Sequence, residues 1–147
     1  MTFTRRSLLI AAAALAATPA MAAKDPVFTR WGNAIRGYDP VAYFTESRPV
    51  KGSGEFEAEW NGSTWRFASA ANRDLFLTAP EAYAPQYGGY CAWAVANGYT
   101  ASTAPEAWSI YDGKLYLNFS LGVRDQWSQD IPGNVARGDT NWPAVLE

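Results

Sequence analysis

Hydrophobic and polar residues alternate with a period of two on both sides of an Asn-Gly pair in the middle of the chain. Phe56, Ala58 and Trp60 alternate with glutamates before Asn61-Gly62, and residues 64–67 alternate again after it. A period of two places every second side chain on one face of a strand, and Asn-Gly favours the tight turn of a hairpin. The pattern predicts a β-hairpin with Phe56, Ala58 and Trp60 on one face.

A second hairpin is predicted further along the chain, where Asp112-Gly113 separates two hydrophobic segments. These segments are residues 106–111 and residues 114–119, and Asp-Gly is again a favoured turn pair. Residues 90–95, which follow a Gly-Gly pair, are apolar without a clear period. Helix and strand both remain open for this segment, which ends at Asn97-Gly98.

Helix-capping residues precede two of the remaining segments. Asp39 stands directly before Pro40, which suits an N-cap followed by proline in the first turn, so a single helical turn is predicted through Phe44. Ser69 can cap a helix over residues 70–77, which must end before a proline at position 80. Both are ordinary local signals for the start of a helix.

The other segments are assigned more coarsely. Val123 and Trp127 lie four residues apart, which predicts one face of a helix within residues 120–129. Residues 23–35 are expected to be irregular or a short helix, and residues 47–54 a loop. Short helices or turns are expected in residues 81–87 and 130–137. Two hairpins and several short helices without strand-helix-strand alternation predict a small α+β domain.

The first 22 residues have the features of a secretory signal. Arg5-Arg6 is followed by an apolar run over residues 8–17 and by the small-residue site Ala20-Met21-Ala22. The adjacent arginines favour the twin-arginine export route. The apolar run has about half of the ~20 residues that a membrane-spanning helix needs. We therefore expect cleavage after residue 22, a periplasmic or otherwise exported domain over residues 23–147, and no stable membrane anchor.

Composition narrows the chemistry of the chain. Loss of Arg5 and Arg6 would change the formal charge from -2 to -4, which offers no basic surface for nucleic acid. The chain has no histidine, which excludes Ser-His-Asp catalysis, Cys-His catalysis and histidine metal ligands. It has one cysteine, Cys91, and so no internal disulfide. Seven Trp, eight Tyr and seven Phe can supply a core or line a pocket.

Four segments together resemble the exported bacterial YHS-domain proteins, some of which carry a selenoprotein label. The segments are Gly37-Tyr38-Asp39-Pro40-Val41-Ala42-Tyr43-Phe44, Trp65-Arg66-Phe67-Ala68-Ser69-Ala70-Ala71-Asn72, Tyr87-Gly88-Gly89-Tyr90-Cys91-Ala92 and Asp112-Gly113-Lys114-Leu115-Tyr116-Leu117-Asn118. The resemblance covers nearly all of residues 23–147. It implies a core related to the treble clef of small metal-binding modules, with the two hairpins packed by short helices.

The chain departs from the metal-binding pattern of that family. Metal-binding YHS modules have cysteines where this chain has Ala42, Ala68 and Asn72. Alanine has no ligand atom, and soft metals select thiolate or imidazole. Structural zinc requires about four ligands, which one cysteine without histidine cannot supply. We therefore expect that the cysteine metal site is lost and that no structural zinc is bound.

Cys91 and Asp39 each have two interpretations. Cys91 is either a small buried core residue or a thiol that the Gly88-Gly89 turn presents for redox chemistry or for weak binding of copper or another soft metal. The selenoprotein label of some relatives adds to the redox alternative. Asp39 is either a helix cap or, with Tyr38, a hydrogen-bonding group of a pocket.

These observations lead to one functional hypothesis and two alternatives. The hypothesis is a non-catalytic protein that binds a small ligand or a metal species near Cys91, in a pocket formed by Tyr38, Asp39, Tyr87, Tyr90 and Trp93. The first alternative is a redox protein that uses Cys91 and an external resolving thiol. The second is an accessory domain that binds a protein partner and in which Cys91 is structural.

Overall fold

Six short strands form two separate sheets in the computed structural model, which describes residues 23–147. The larger sheet has the strand order β1-β2-β4-β3, and the smaller sheet consists of β5 and β6. The strands are β1 (Thr29–Arg30), β2 (Asn33–Ala34), β3 (Ser53–Trp60), β4 (Ser63–Phe67), β5 (Trp108–Tyr111) and β6 (Lys114–Leu117). The predicted α+β class and both predicted hairpins are confirmed.

The turn residues explain both hairpins. Asn61 and Gly62 have φ of 51° and 77°, and Asp112 and Gly113 have φ of 51° and 72°. Positive φ at both central positions is the geometry of the turn that matches strand twist, and Asn, Asp and Gly adopt it most readily. The strand β3 begins at Ser53, inside the segment predicted as a loop. Its pairing with β4 is irregular in that first part.

Helices cover the segments between and after the hairpins. They are α1 (Ala42–Thr45), α2 (Ala70–Thr78), α3 (Pro80–Tyr83), α4 (Ala92–Ala96), α5 (Leu121–Ser128) and α6 (Ile131–Asn141). As predicted, the Ser69 hydroxyl accepts a hydrogen bond from the N–H of Asn72 at the start of α2. Ser120 and Asp130 cap α5 and α6 in the same way.

The structure corrects two predictions and decides an open one. Residues 23–28 are irregular, but residues 29–34 form a small hairpin of β1 and β2 with Trp31 and Gly32 at its turn. Strand β2 then pairs in parallel with β4 through Asn33 and Thr64. The helix predicted to be short within residues 130–137 extends to Asn141. The undecided apolar segment after Gly-Gly forms helix α4.

Strand β6 lies between two hydrophobic clusters. Its Leu115 and Leu117 belong to the cluster around Trp65, Phe67 and Phe76. These five side chains are all buried. Its Tyr116 faces the opposite way, into the second cluster. Alternate side chains of one strand thus join both clusters, as the period of two requires.

The second cluster packs the C-terminal half of the domain. Tyr116 and Trp127 have ring centroids 5.1 Å apart, and Tyr87, Ala92 and Val95 complete the buried set. Full burial of such a side chain contributes about 1.5–3 kcal/mol to stability. Within residues 23–147, no helix is long and apolar enough to span a membrane. The predicted signal peptide lies outside the described residues, and the domain boundary at residue 23 stays a prediction.

Candidate functional site

The carboxylate of Asp39 is fully buried and accepts four hydrogen bonds. Oδ1 accepts from the backbone N–H groups of Val41 and Ala42 at 2.9 and 3.3 Å. Asp39 thus binds N–H groups at the start of α1, although the helix begins at Ala42 and not at Pro40 as predicted. Oδ2 accepts from the N–H of Ala68 at 2.9 Å and from Nδ2 of Asn72 at 2.8 Å. The side chain therefore ties the start of α1 to the junction of β4 and α2.

Three residues that the sequence comparison singled out meet at this carboxylate. Ala42, Ala68 and Asn72 each donate one of the four hydrogen bonds. Each carboxylate oxygen accepts two of these bonds, so its lone pairs are occupied. Asp39 is thus a structural group in an enclosed hydrogen-bond network.

Cys91 lies at the start of α4 and is 1% exposed. Its Sγ accepts a hydrogen bond from the N–H of Phe119 at 3.3 Å and donates one to Oδ1 of Asn118 at 3.5 Å. The backbone N–H of Cys91 donates to the carbonyl of Ala101 at 3.0 Å. The Sγ contacts attach the start of α4 to the segment that follows β6, and the backbone contact attaches it to the loop after α4.

Burial raises the pKa of the Cys91 thiol above its ordinary value. Nearby backbone N–H groups of Ala94, Phe119 and Trp93 act in the opposite direction, but desolvation is the larger effect. A thiol with a raised pKa is protonated at neutral pH, and the thiolate is the form that attacks electrophiles and binds metals. The geometry therefore favours an unreactive thiol.

An apolar cavity of about 240 Å³ opens beside Cys91. Helix α4, the loop after it, the segment after β6 and α5 contribute its walls. We call it the Cys91 cavity, and its lining residues are Cys91, Trp93, Tyr99, Ala101, Phe119 and Val123. Tyr99 and Phe119 are 51% and 54% exposed, so aromatic surface extends from the cavity to solvent.

Of the five pocket residues predicted from the sequence, the structure places only Trp93 beside Cys91. Asp39 is enclosed in its own network, and Tyr38 forms an isolated bridge with Lys51. The other two, Tyr87 and Tyr90, face the C-terminal segment, where both rings lie about 6 Å from the ring of Trp142. The predicted pocket is thus distributed over three regions of the domain.

Tyr87 is held by its hydroxyl group. It donates a hydrogen bond to Oδ1 of Asp139 at 2.9 Å, and desolvation and that bond both raise the pKa of Tyr87. The hydroxyl of Tyr90 donates to the carbonyl of Asp25 at 2.8 Å. Both tyrosines therefore connect the turn that carries Gly88-Gly89 to other segments.

Asn118 is a site residue that the sequence analysis did not select. It is fully buried, and its Oδ1 accepts from the N–H of Trp93 at 3.0 Å as well as from Cys91. Its Nδ2 has no hydrogen-bond partner among the described residues. The available signal was a polar residue directly after the hydrophobic run of β6, because a buried amide in a protein almost always makes hydrogen bonds.

Comparison with protein families bears on the first half of the domain. Residues 41–87 match the family model of the YHS domain. The chain thus contains a YHS domain. No curated protein and no solved structure matches the chain.

The YHS match has a definite place in the fold. It comprises α1, the β3–β4 hairpin, α2 and α3, and it includes Ala42, Ala68 and Asn72. It ends at Tyr87, so all lining residues of the Cys91 cavity belong to the part of the chain that follows the matched segment. The YHS segment and the cavity are therefore separate features.

The residues of this YHS domain do not fit a metal ion. Within residues 23–147 no three His, Cys, Asp or Glu side chains come together as a metal-binding group. At the centre formed by Ala42, Ala68 and Asn72, the one carboxylate is that of Asp39, and its oxygens are already occupied by N–H donors. Cys91 likewise belongs to no group of three such side chains among the described residues.

Proposed function

We propose that the protein is a non-catalytic YHS-domain protein that binds a small apolar ligand in the Cys91 cavity. We further propose that the cysteine metal site of metal-binding YHS modules is lost, because Ala42, Ala68 and Asn72 stand where cysteine ligands would be needed and N–H donors occupy the neighbouring carboxylate of Asp39. The proposal keeps the binding hypothesis from the sequence and narrows its ligand to an apolar molecule.

The chemistry of the cavity wall carries the proposal. Trp93, Tyr99 and Phe119 supply aromatic surface, Ala101 and Val123 supply aliphatic surface, and the Cys91 thiol is weakly polar. Apolar cavities of about 150 Å³ bind benzene in other proteins, so about 240 Å³ is enough for a single-ring aromatic compound. A metal ion or a strongly polar ligand would lack partners on such a wall.

The redox alternative receives less support from the geometry. A reactive cysteine has a lowered pKa and is accessible, whereas Cys91 is almost fully buried and its pKa is raised. A redox cycle would also need an external thiol, because the chain has no second cysteine. We therefore assign Cys91 a packing role in the cavity wall.

Export remains part of the proposal. The order of Arg5-Arg6, an apolar run and Ala20-Met21-Ala22 supports a cleaved signal of the twin-arginine type. The domain described over residues 23–147 would then act in the periplasm or outside the cell. An unreactive, buried thiol is compatible with an oxidising compartment.

The accessory-domain alternative is favoured by one observation. Tyr99 and Phe119 are more than half exposed at the cavity, and Leu121, which is 49% exposed, lies two residues further along the chain. Exposed apolar patches of this kind mark interaction sites. Leu121 does not line the cavity, so Leu121→Ser should weaken partner docking but leave the binding of a small ligand unchanged.

The proposal can be tested by titration with indole, phenol and toluene, followed by amide NMR shifts. We expect saturable shifts at Cys91, Trp93, Ala101 and Phe119, and protection of the thiol from slow alkylation. Val123→Phe projects a larger side chain into the cavity and should weaken or abolish these shifts. Leu121→Phe adds a similar bulk on the same helix outside the cavity and is the matched control.

Two results would contradict the proposal. The first is the absence of saturable binding by all three compounds while the protein is folded. The second is binding that Val123→Phe leaves unchanged, since that would place the ligand elsewhere.

A further inference from the structure

A larger cleft of about 400 Å³ lies apart from the Cys91 cavity and shares no lining residue with it. The turn after β3, helix α3, the segment after α3, the start of β6 and the residue after α6 meet there. The residues that define its chemistry are Trp60, Trp142, Asn61, Gln86, Glu81 and Lys114. Its volume lies in the range of small-molecule sites, roughly 300–1,000 Å³.

Two tryptophans give the cleft rigid aromatic walls. The ring of Trp60 packs edge-on against Phe76 at a centroid distance of 5.6 Å and lies 5.8 Å from Trp65. The ring of Trp142 is held between Tyr87 and Tyr90 at 6.0 and 6.1 Å. Both tryptophans are only partly buried. Because neighbouring rings already hold both tryptophans in place, a ligand that stacks on them pays little entropy for fixing these side chains.

The polar groups of the cleft are free to bind a ligand. Glu81 and Lys114 are exposed, and neither forms an ion pair among residues 23–147. A carboxylate accepts hydrogen bonds, an ammonium donates them, and the amides of Asn61 and Gln86 do both. Together these four side chains can satisfy several hydroxyl groups, each of which is both donor and acceptor.

The charges of these side chains indicate a neutral ligand. One acid and one base give the six residues no net charge, so the cleft does not select an anion or a cation. Exposed ion pairs contribute little, because water and salt screen them. A ligand with apolar C–H faces and a rim of hydroxyl groups matches both the tryptophans and the polar groups.

We propose that the cleft between Trp60 and Trp142 is a second binding site, and that its ligand is a neutral saccharide. A pyranose ring places its C–H face against an indole, and its hydroxyl groups bond to Glu81, Gln86, Asn61 and Lys114. This site is independent of the apolar ligand proposed for the Cys91 cavity.

The test uses isothermal titration of the purified protein with three neutral probes: maltotriose, cellotriose and triacetylchitotriose. We expect saturable binding of at least one probe, with a change in tryptophan fluorescence. Glu81→Ala, Gln86→Ala and Lys114→Ala should each weaken that binding about fivefold, which corresponds to one hydrogen bond of ordinary strength. The tryptophans are left intact, because both also pack against buried aromatic rings.

Controls separate the cleft from general surface effects. Lys51→Ala and Glu55→Ala remove exposed charges outside the cleft and should leave the affinity unchanged. High salt should change it less than about twofold, because the ligand is neutral. The proposal is overturned if none of the three probes binds, if the cleft variants bind as well as the parent, or if glycine or a sugar phosphate binds more tightly than every neutral saccharide.

Discussion

Replacement of Asp39 by asparagine tests the hydrogen-bond network at the start of the YHS segment. The substitution preserves shape but leaves one oxygen in place of two. If that oxygen still accepts from Val41 and Ala42, the new amide N–H₂ group faces the donors of Ala68 and Asn72. Two partly buried donors then lose their acceptor and meet another donor.

The expected loss of stability follows from these two donors. A buried donor without a partner costs about 1–3 kcal/mol, and hydrogen bonds to a charged acceptor lie at the upper end of the scale. Because both donors are only partly buried, water can offset part of this cost, and we expect Asp39→Asn to lower the free energy of unfolding by about 2–3 kcal/mol. Asp39→Ala, which orphans all four donors, should cost at least as much.

Urea unfolding followed by tryptophan fluorescence and circular dichroism measures this loss. Asp112→Asn is the matched control, because Asp112 is exposed in the β5–β6 turn and asparagine adopts the same positive φ. It should change stability by less than about 0.5 kcal/mol. If Asp39→Asn also lowered the free energy of unfolding by less than about 0.5 kcal/mol, with an unchanged m-value, the reasoning would be refuted.

A double-mutant cycle localises the effect to one pair. Asn72→Asp alone places a second carboxylate against Asp39 and should destabilise the fold. When it is combined with Asp39→Asn, the amide of residue 39 can donate to the new carboxylate. We expect a favourable coupling of at least about 1 kcal/mol between the two sites. Additive losses would show that the 2.8 Å contact contributes nothing specific.

Three further predictions follow from the structure and the sequence. Cys91 should resist maleimide at neutral pH and react faster as pH rises past the ordinary thiol range, because burial raises its pKa; rapid labelling measured by intact mass would contradict this. Gly88→Ala should destabilise the fold more than Gly32→Ala, since both have positive φ but only Gly88 has backbone within contact distance of an added Cβ; equal melting temperatures would contradict it. Replacement of Arg5-Arg6 by Lys-Lys should leave the precursor uncleaved in cell fractions, and normal processing would remove the twin-arginine hypothesis.

Local signals in the sequence predicted the elements that depend on adjacent residues. The turn pairs Asn61-Gly62 and Asp112-Gly113 and the caps Asp39 and Ser69 act within a few positions, so their effects can be read from the chain. The hairpin of β1 and β2 was not predicted, because each of its strands has two residues, which are too few to show a hydrophobic period. This hairpin depends instead on the parallel pairing of Asn33 in β2 with Thr64 in β4.

The candidate sites were harder to predict because they depend on distant residues. The second oxygen of Asp39 meets groups 29 and 33 positions away, and Cys91 meets Asn118 across 27 positions. Proximity in sequence suggested Tyr87 and Tyr90 as neighbours of Cys91, but the left-handed turn that begins at Tyr87 directs them toward Trp142. The sequence thus indicated which types of residue could form a pocket, but not which of them lie next to one another in the fold.

The position of Asp39 bears on where the function of this domain lies. If the carboxylate network stabilises the YHS segment, as the first prediction requires, then Ala42, Ala68 and Asn72 serve the structure of that segment by donating to Asp39. The binding sites that we propose are the Cys91 cavity and the larger cleft. Both depend on β6: the larger cleft includes Lys114 at its start, and the Cys91 cavity includes Phe119 just beyond its end. Because β6 also joins both hydrophobic clusters, each ligand should stabilise the whole domain and not one half of it.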